Sequence, residues 1–88
     1  MGPTLNRKKL ALLAHALKDS GFYVRRHAYE YIIGYGGTIL GVMEVLSSSF
    51  TLYFNAEVKG EFWKVFRKLV GIIRNFDPNA TVIAKLSS

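Results

Sequence analysis

Between Phe50 and Val58, the residues Phe50, Leu52, Phe54, Ala56 and Val58 alternate with Thr51, Tyr53, Asn55 and Glu57. Successive side chains on an extended strand point to opposite faces, so this segment is a strand with one apolar face and one polar face. An apolar sheet face has to be covered by a second layer of structure, and the rest of the chain must supply that layer. Two segments have the period for it. Leu10, Leu13, Ala14 and Leu17 fall at i, i+3, i+4 and i+7 within residues 5–19, and Gly21 follows as the residue that ends the helix. Thr4 or Asn6 is positioned to cap its start. Residues 61–76 place Phe62, Phe66, Leu69, Ile73 and Phe76 on one helical stripe, and Asp77-Pro78-Asn79 stops it.

Three further segments read as strands. Residues 22–33 are rich in Tyr, Val and Ile and end at the glycines of Gly34-Tyr35-Gly36-Gly37, which suit a tight reversal. Thr38 to Leu46 is apolar on both sides, and Ser47-Ser48-Ser49 separates it from the strand at Phe50. Residues 80–86 form a short last strand. The expected fold is therefore α+β, in the order α-β-β-β-α-β. It is a two-layer sandwich in which a three-stranded antiparallel meander plus a short C-terminal strand carries two helices on one face. The preferred sheet order sets the last strand beside the first, 4-1-2-3. Connections are short throughout, so residues 1–88 read as a single domain with a flexible lead at 1–4.

Composition narrows the chemistry. Half of the 88 residues are hydrophobic and 20% are charged, enough apolar surface to offset the entropy of ordering. The absence of cysteine excludes disulfides, thiolate metal sites and a cysteine nucleophile. His15 and His27 stand on different elements and make no metal-ligand pattern. Ser47, Ser48 and Ser49 lack the glycine elbow of a serine nucleophile, and Glu30, Glu44 and Glu57 read as sheet-surface charges. The segment Gly34 to Thr38 lacks the Gly-Lys-Ser/Thr and the following helix of a phosphate loop. The expectation is a non-enzymatic protein with no cofactor, no metal and no small-molecule substrate. Residues 31–56 contain one charge, Glu44, but a carboxylate within a spanning helix costs about 2.5 to 3.5 kcal/mol. Four glycines in that window also favour strands, so a membrane span is not expected. No secretory pattern opens the chain, and the expected location is cytoplasmic.

Charge gives the functional expectation. Lys and Arg number 12 against 6 Asp and Glu, and the net charge is +5 over residues 1–26, −3 over 27–58 and +4 over 59–88. On the second helix Lys64, Arg67, Lys68 and Gly71 recur at i, i+3, i+4 and i+7, and Arg74 continues the row. Arg7, Lys8, Lys9 and Lys18 on the first helix extend it if both helices cover the same sheet face, and Arg25 and Arg26 add cations on the first strand. A solvated helix face normally mixes both signs. A single-sign stripe instead suits phosphates, so Lys8, Lys9, Arg25, Arg26, Lys64, Arg67, Lys68 and Arg74 are the expected contacts to nucleic acid, DNA or RNA. Tyr23, Tyr29 and Tyr31 are expected to share one strand face, with Tyr53 joining from the third strand and Trp63 flanking the helix. They are candidates for base stacking or for an interface. Two helices cover one side of a sheet only, so the alternative is a small interaction subunit that homodimerises or enters an assembly through the open side.

The run of helix, three antiparallel strands and helix over residues 5–76 resembles the element order of the double-stranded RNA-binding domain, which implies a shape-reading, phosphate-contacting surface. That family's Lys-Lys-x-Ala-Lys clamp has no counterpart in Lys59-Gly60-Glu61-Phe62-Trp63-Lys64, and the apolar second strand departs from the family as well.

Overall fold

A computed structural model describes residues 7–55 and 62–87 of the chain. The chain is α+β, a five-stranded mixed sheet with two helices. Helix α1 spans Arg7–Asp19, followed by strands β1 (Tyr23–His27), β2 (Glu30–Tyr35), β3 (Thr38–Leu46) and β4 (Ser49–Asn55). Helix α2 (Phe62–Phe76) and strand β5 (Thr81–Ser87) complete it. The expected cap at Thr4 or Asn6, the lead at 1–4, Lys59 and the start of the second helix at Glu61 lie outside the described residues.

Helix α1 ends as its sequence dictates. Gly21 takes φ +96°, the Phe22 N–H donates to the Leu17 carbonyl at 3.0 Å, and the Gly21 N–H donates to Lys18 at 3.0 Å. This pair of bonds across a left-handed glycine satisfies carbonyls that the helix end leaves open, and both Leu17 and Phe22 are buried beneath it. Helix α2 stops at Asp77, whose N–H donates to Ile73 and whose carboxylate accepts from the Asn79 N–H at 3.0 Å.

The segment expected as one long strand over 22–33 is two strands. His27 pairs with Glu30 across the two-residue loop Ala28-Tyr29, in which Ala28 adopts φ +56°. Arg26 Nη1 donates to the Ala28 carbonyl at 2.8 Å, and the Val45 N–H donates to the Tyr29 carbonyl at 3.0 Å. No Gly, Asn or Asp marks this turn, so the usual signature of a tight hairpin is missing, and tertiary contacts hold the left-handed alanine instead. Of the other two hairpin loops, the β2–β3 turn has the expected chemistry, with Gly36 and Gly37 both at positive φ, while in the β3–β4 turn Ser47 takes φ +56° before Ser48.

Strands β1 to β4 form an antiparallel meander, and β5 joins β4 in parallel, so the sheet order is β1-β2-β3-β4-β5. This corrects the expected placement of the last strand beside the first. Chain order explains the outcome: α2 lies between β4 and β5 in the sequence and packs on the sheet, so β5 returns parallel to β4 on the ladder that β4 leaves open. Four strands rather than three separate the helices, which removes the element order shared with the double-stranded RNA-binding domain.

One irregularity sets the faces of the central strand. Ile33 pairs with Gly41 and Gly34 with Ile39, so Leu40 is an extra residue in β3. Leu40, Met43 and Val45 therefore all turn inward, and Ile39, Val42 and Glu44 turn outward. Gly41 has to be glycine, because a Cβ there would overlap the Tyr53 carbonyl oxygen. The core then runs continuously between the layers: Leu13 and Leu17 from α1, Leu69 and Ile73 from α2, and Tyr31, Ile33, Met43, Phe50, Leu52 and Phe54 from the sheet. Both helices lie on the same face of the sheet.

Candidate nucleic-acid interface

The helical layer presents its cations outward. Lys64, Arg67, Lys68 and Arg74 are exposed on α2, together with Gly71, around which a Cβ would meet nothing within 4 Å. They lie opposite the buried Leu69 and Ile73, which fix the rotation of the helix. Lys8, Lys9 and Lys18 are exposed on α1. Asp19 is the acidic residue of the two helices, and no acid stands in the first turn of either. Lys68 is held against two aromatic rings. Its Nζ donates to the Tyr35 hydroxyl at 3.1 Å and stands 4.9 Å from the Tyr35 ring centroid and 5.9 Å from that of Phe22. Those two rings are themselves packed at 4.8 Å. The contact ties α2 to the end of α1 and to the β2–β3 turn, and it keeps the ammonium at the surface while its stem covers aromatic area.

Strand β1 separates the two arginines expected to join this surface. Arg26 follows Val24 on the helix-covered side and pairs in register with Tyr31, while Arg25 shares the opposite face with Tyr23 and His27. Both arginines, Tyr23 and His27 are exposed on β1, which is an edge of the sheet.

The aromatic residues divide. Tyr23, Tyr29 and Tyr53 are exposed, Tyr29 within the β1–β2 loop and Tyr53 on the uncovered face beneath Lys85, whose Nζ lies 5.7 Å from its ring. Tyr31 does not share their face. It is 0% exposed, points beneath α1 and donates its hydroxyl hydrogen bond to the Leu10 carbonyl at 2.7 Å. Stacking of a base on Tyr31 is thereby excluded; the break at Ala28 reverses the parity on which the shared face was reckoned. Burial pushes the Tyr31 phenol up to about 12, and the positive charge of Arg26 pulls in the opposite direction. Trp63 is 67% exposed, set edge-on to Phe62 and Phe66 at the start of α2.

The face of the sheet away from the helices carries Ile32, Ile39, Val42, Tyr53 and Ile83, each between 37% and 48% exposed. Arg25, His27, Glu30, Glu44 and Lys85 are distributed among them. This face therefore holds both signs of charge around an apolar centre, whereas the helical layer is nearly all positive. Among the described residues no three metal-ligating side chains converge, and no helix is long and apolar enough to cross a membrane.

Sequence reasoning gave His15 no part in a binding surface and counted Lys18 among the cations of the first helix. Both line a groove between α1 and β1 with Arg25 and Arg26. Their spacing on the helix was visible, but nothing in the sequence says which strand α1 lies against. Comparison with models of known protein families, with curated proteins and with solved structures finds no match to this chain.

Proposed function

We propose that the protein is a non-enzymatic nucleic-acid-binding module that contacts phosphates through the lysines and arginines of its helical layer. The observation that supports this most is the segregation of charge: Lys8, Lys9, Lys18, Lys64, Arg67, Lys68 and Arg74 stand on one layer, while Glu30 and Glu44 stand on the far side of the sheet. A surface of one sign raises the local concentration of a polyanion and gives sequence-independent, salt-sensitive binding. Gly71 leaves bare backbone in the middle of the α2 stripe, where a phosphodiester chain can approach closely.

Binding to duplex or single-stranded nucleic acid, titrated between about 50 and 200 mM salt, tests the reading. Affinity is expected to fall steeply with salt. Reversal of charge at Arg67 and Arg74 is expected to weaken binding to every sequence alike and to reduce the salt slope by about one for each residue removed. Absence of binding at the low-salt end overturns the proposal.

The exposed apolar centre of the open sheet face favours a second reading, in which two copies of the chain pair through that face. Like charge keeps two helical layers apart, but the open face carries both signs and is compatible with a copy of itself. The two readings do not compete for surface, since such a dimer would leave both cationic layers outermost.

A further inference from the structure

Helix α1 does not cover the edge of β1 completely, and the gap between them is lined with cations. One groove of about 330 Å³ lies between Ala11 and Ala14 of the helix and the strand, with His15, Lys18, Arg25 and Arg26 around it. A second, of about 460 Å³, continues along the same seam toward the β1–β2 loop, where Leu10, Arg26, Ala28 and Tyr29 line it. Arg26 belongs to both grooves, and its guanidinium is held in place by the 2.8 Å bond to the Ala28 carbonyl. The small side chains Ala11 and Ala14 leave the depth of the first groove open, and none of the described residues lining either groove is acidic. At the loop end, Tyr29 is 45% exposed. The seam is thus a narrow track of positive charge with an aromatic ring at one end, on an edge of the sheet that no other strand occupies.

We infer that this seam is the site for single-stranded nucleic acid, with Lys18 and Arg26 on the phosphodiester chain and Tyr29 stacked on an unpaired base. The assignment rests on the nucleic-acid reading above and sharpens it to one form of the ligand. A groove between a helix and a strand admits one backbone at a time, and a ring can stack only on a base released from its pair. The broad helical face, by contrast, accepts the backbone of either form without distinguishing them.

Fluorescence anisotropy with a labelled oligothymidylate of about twelve nucleotides and with a duplex of equal length tests the seam, because small single-strand binders occupy about 4 to 16 nucleotides. Tyr29→Ser is expected to weaken single-strand binding about 5- to 150-fold, the range that the loss of one base stack gives, and to leave duplex binding unchanged. Tyr29→Phe keeps the ring and is expected to bind as the wild type, which separates stacking from any effect on folding. Lys18→Gln and Arg26→Gln are each expected to lower the single-strand salt slope by about 0.7. Equal affinity of Tyr29→Ser and Tyr29→Phe for the single strand overturns the inference, and so does a loss shared equally by the duplex. Should Arg67→Glu with Arg74→Glu abolish binding of both forms while the seam variants change nothing, the seam falls and the helical surface stands. The reverse pattern retains the seam and removes the helical surface. A wild type that binds neither form removes both.

Discussion

Ile32 and Ile33 are neighbours in one strand, yet one is 39% exposed and the other 2%; Val42 and Val45, in the next strand, are 37% and 2% exposed. The residue types are the same and the strands are the same. What differs is which face each side chain points to, and whether helices lie over that face. Charge differs between them too: the open side mixes Glu30 and Glu44 with Arg25 and Lys85, whereas the helical layer is nearly all positive. The two faces therefore do different work: one holds the fold together, and the other is left available for contact.

The sharpest way to break the comparison is to shorten both isoleucines. Ile33→Ala is expected to cost about 2 to 5 kcal/mol, because it leaves a cavity beneath the helices, and Ile32→Ala less than about 1 kcal/mol. Thermal melts of both variants over a wide range of protein concentration measure this. If two copies pair through the open face, the wild-type midpoint also rises with concentration, and Ile32→Ala loses part of that rise.

A smaller effect distinguishes the two sides by pH. The Tyr31 phenol is raised from its ordinary value of 10.0 to about 12 in the fold, so the folded state holds its proton more tightly than the unfolded chain. Its contribution is complete below pH 10 and is lost as pH rises from 10 toward 12. Tyr31→Phe is expected to cost about 1 kcal/mol at neutral pH, from the lost bond to Leu10, and to flatten this alkaline decline in stability. Denaturant unfolding at a series of pH values reads both.

The smallest effect concerns Gly71. Alanine there meets no neighbour and removes the entropy cost of an exposed helical glycine, so Gly71→Ala is expected to stabilise the protein by about 0.5 to 1 kcal/mol. Under the proposed function the same change weakens polyanion binding, since a methyl group then stands where backbone was bare. Stability and affinity moving in opposite directions would sharpen the division of labour between core and surface; unchanged affinity would assign Gly71 no role in contact.

Periodicity and turn chemistry explain how much of this is legible in the sequence. The Phe50 strand, both helices, the Gly21 terminus and the Gly36-Gly37 reversal each carry a local signal that the fold obeys. The Ala28-Tyr29 turn carries none, because its left-handed residue is an alanine held by Arg26 and by the Val45 N–H, two contacts that exist only after folding. Missing that turn also misplaced Tyr31, whose face depends on counting residues through an uninterrupted strand. The position of β5 was open for a similar reason: a parallel crossover specifies direction, not which strand it will lie beside. For the candidate site, the cations were evident as residue types, but the groove shared by His15, Lys18, Arg25 and Arg26 depends on where α1 comes to rest on the sheet.

The extra residue in β3 reaches further than local geometry. Strict alternation from Thr38 would send Leu40, Val42, Glu44 and Leu46 beneath the helices and expel Met43 and Val45. The additional position at Leu40 resets the count, and it is tolerated because Gly41 can lie against the Tyr53 carbonyl. Glu44 thereby remains on the far side of the sheet, and no carboxylate from β3 sits below the helical cations to dilute their potential. A position that carries no side chain of its own thus helps decide the sign of a surface one layer away.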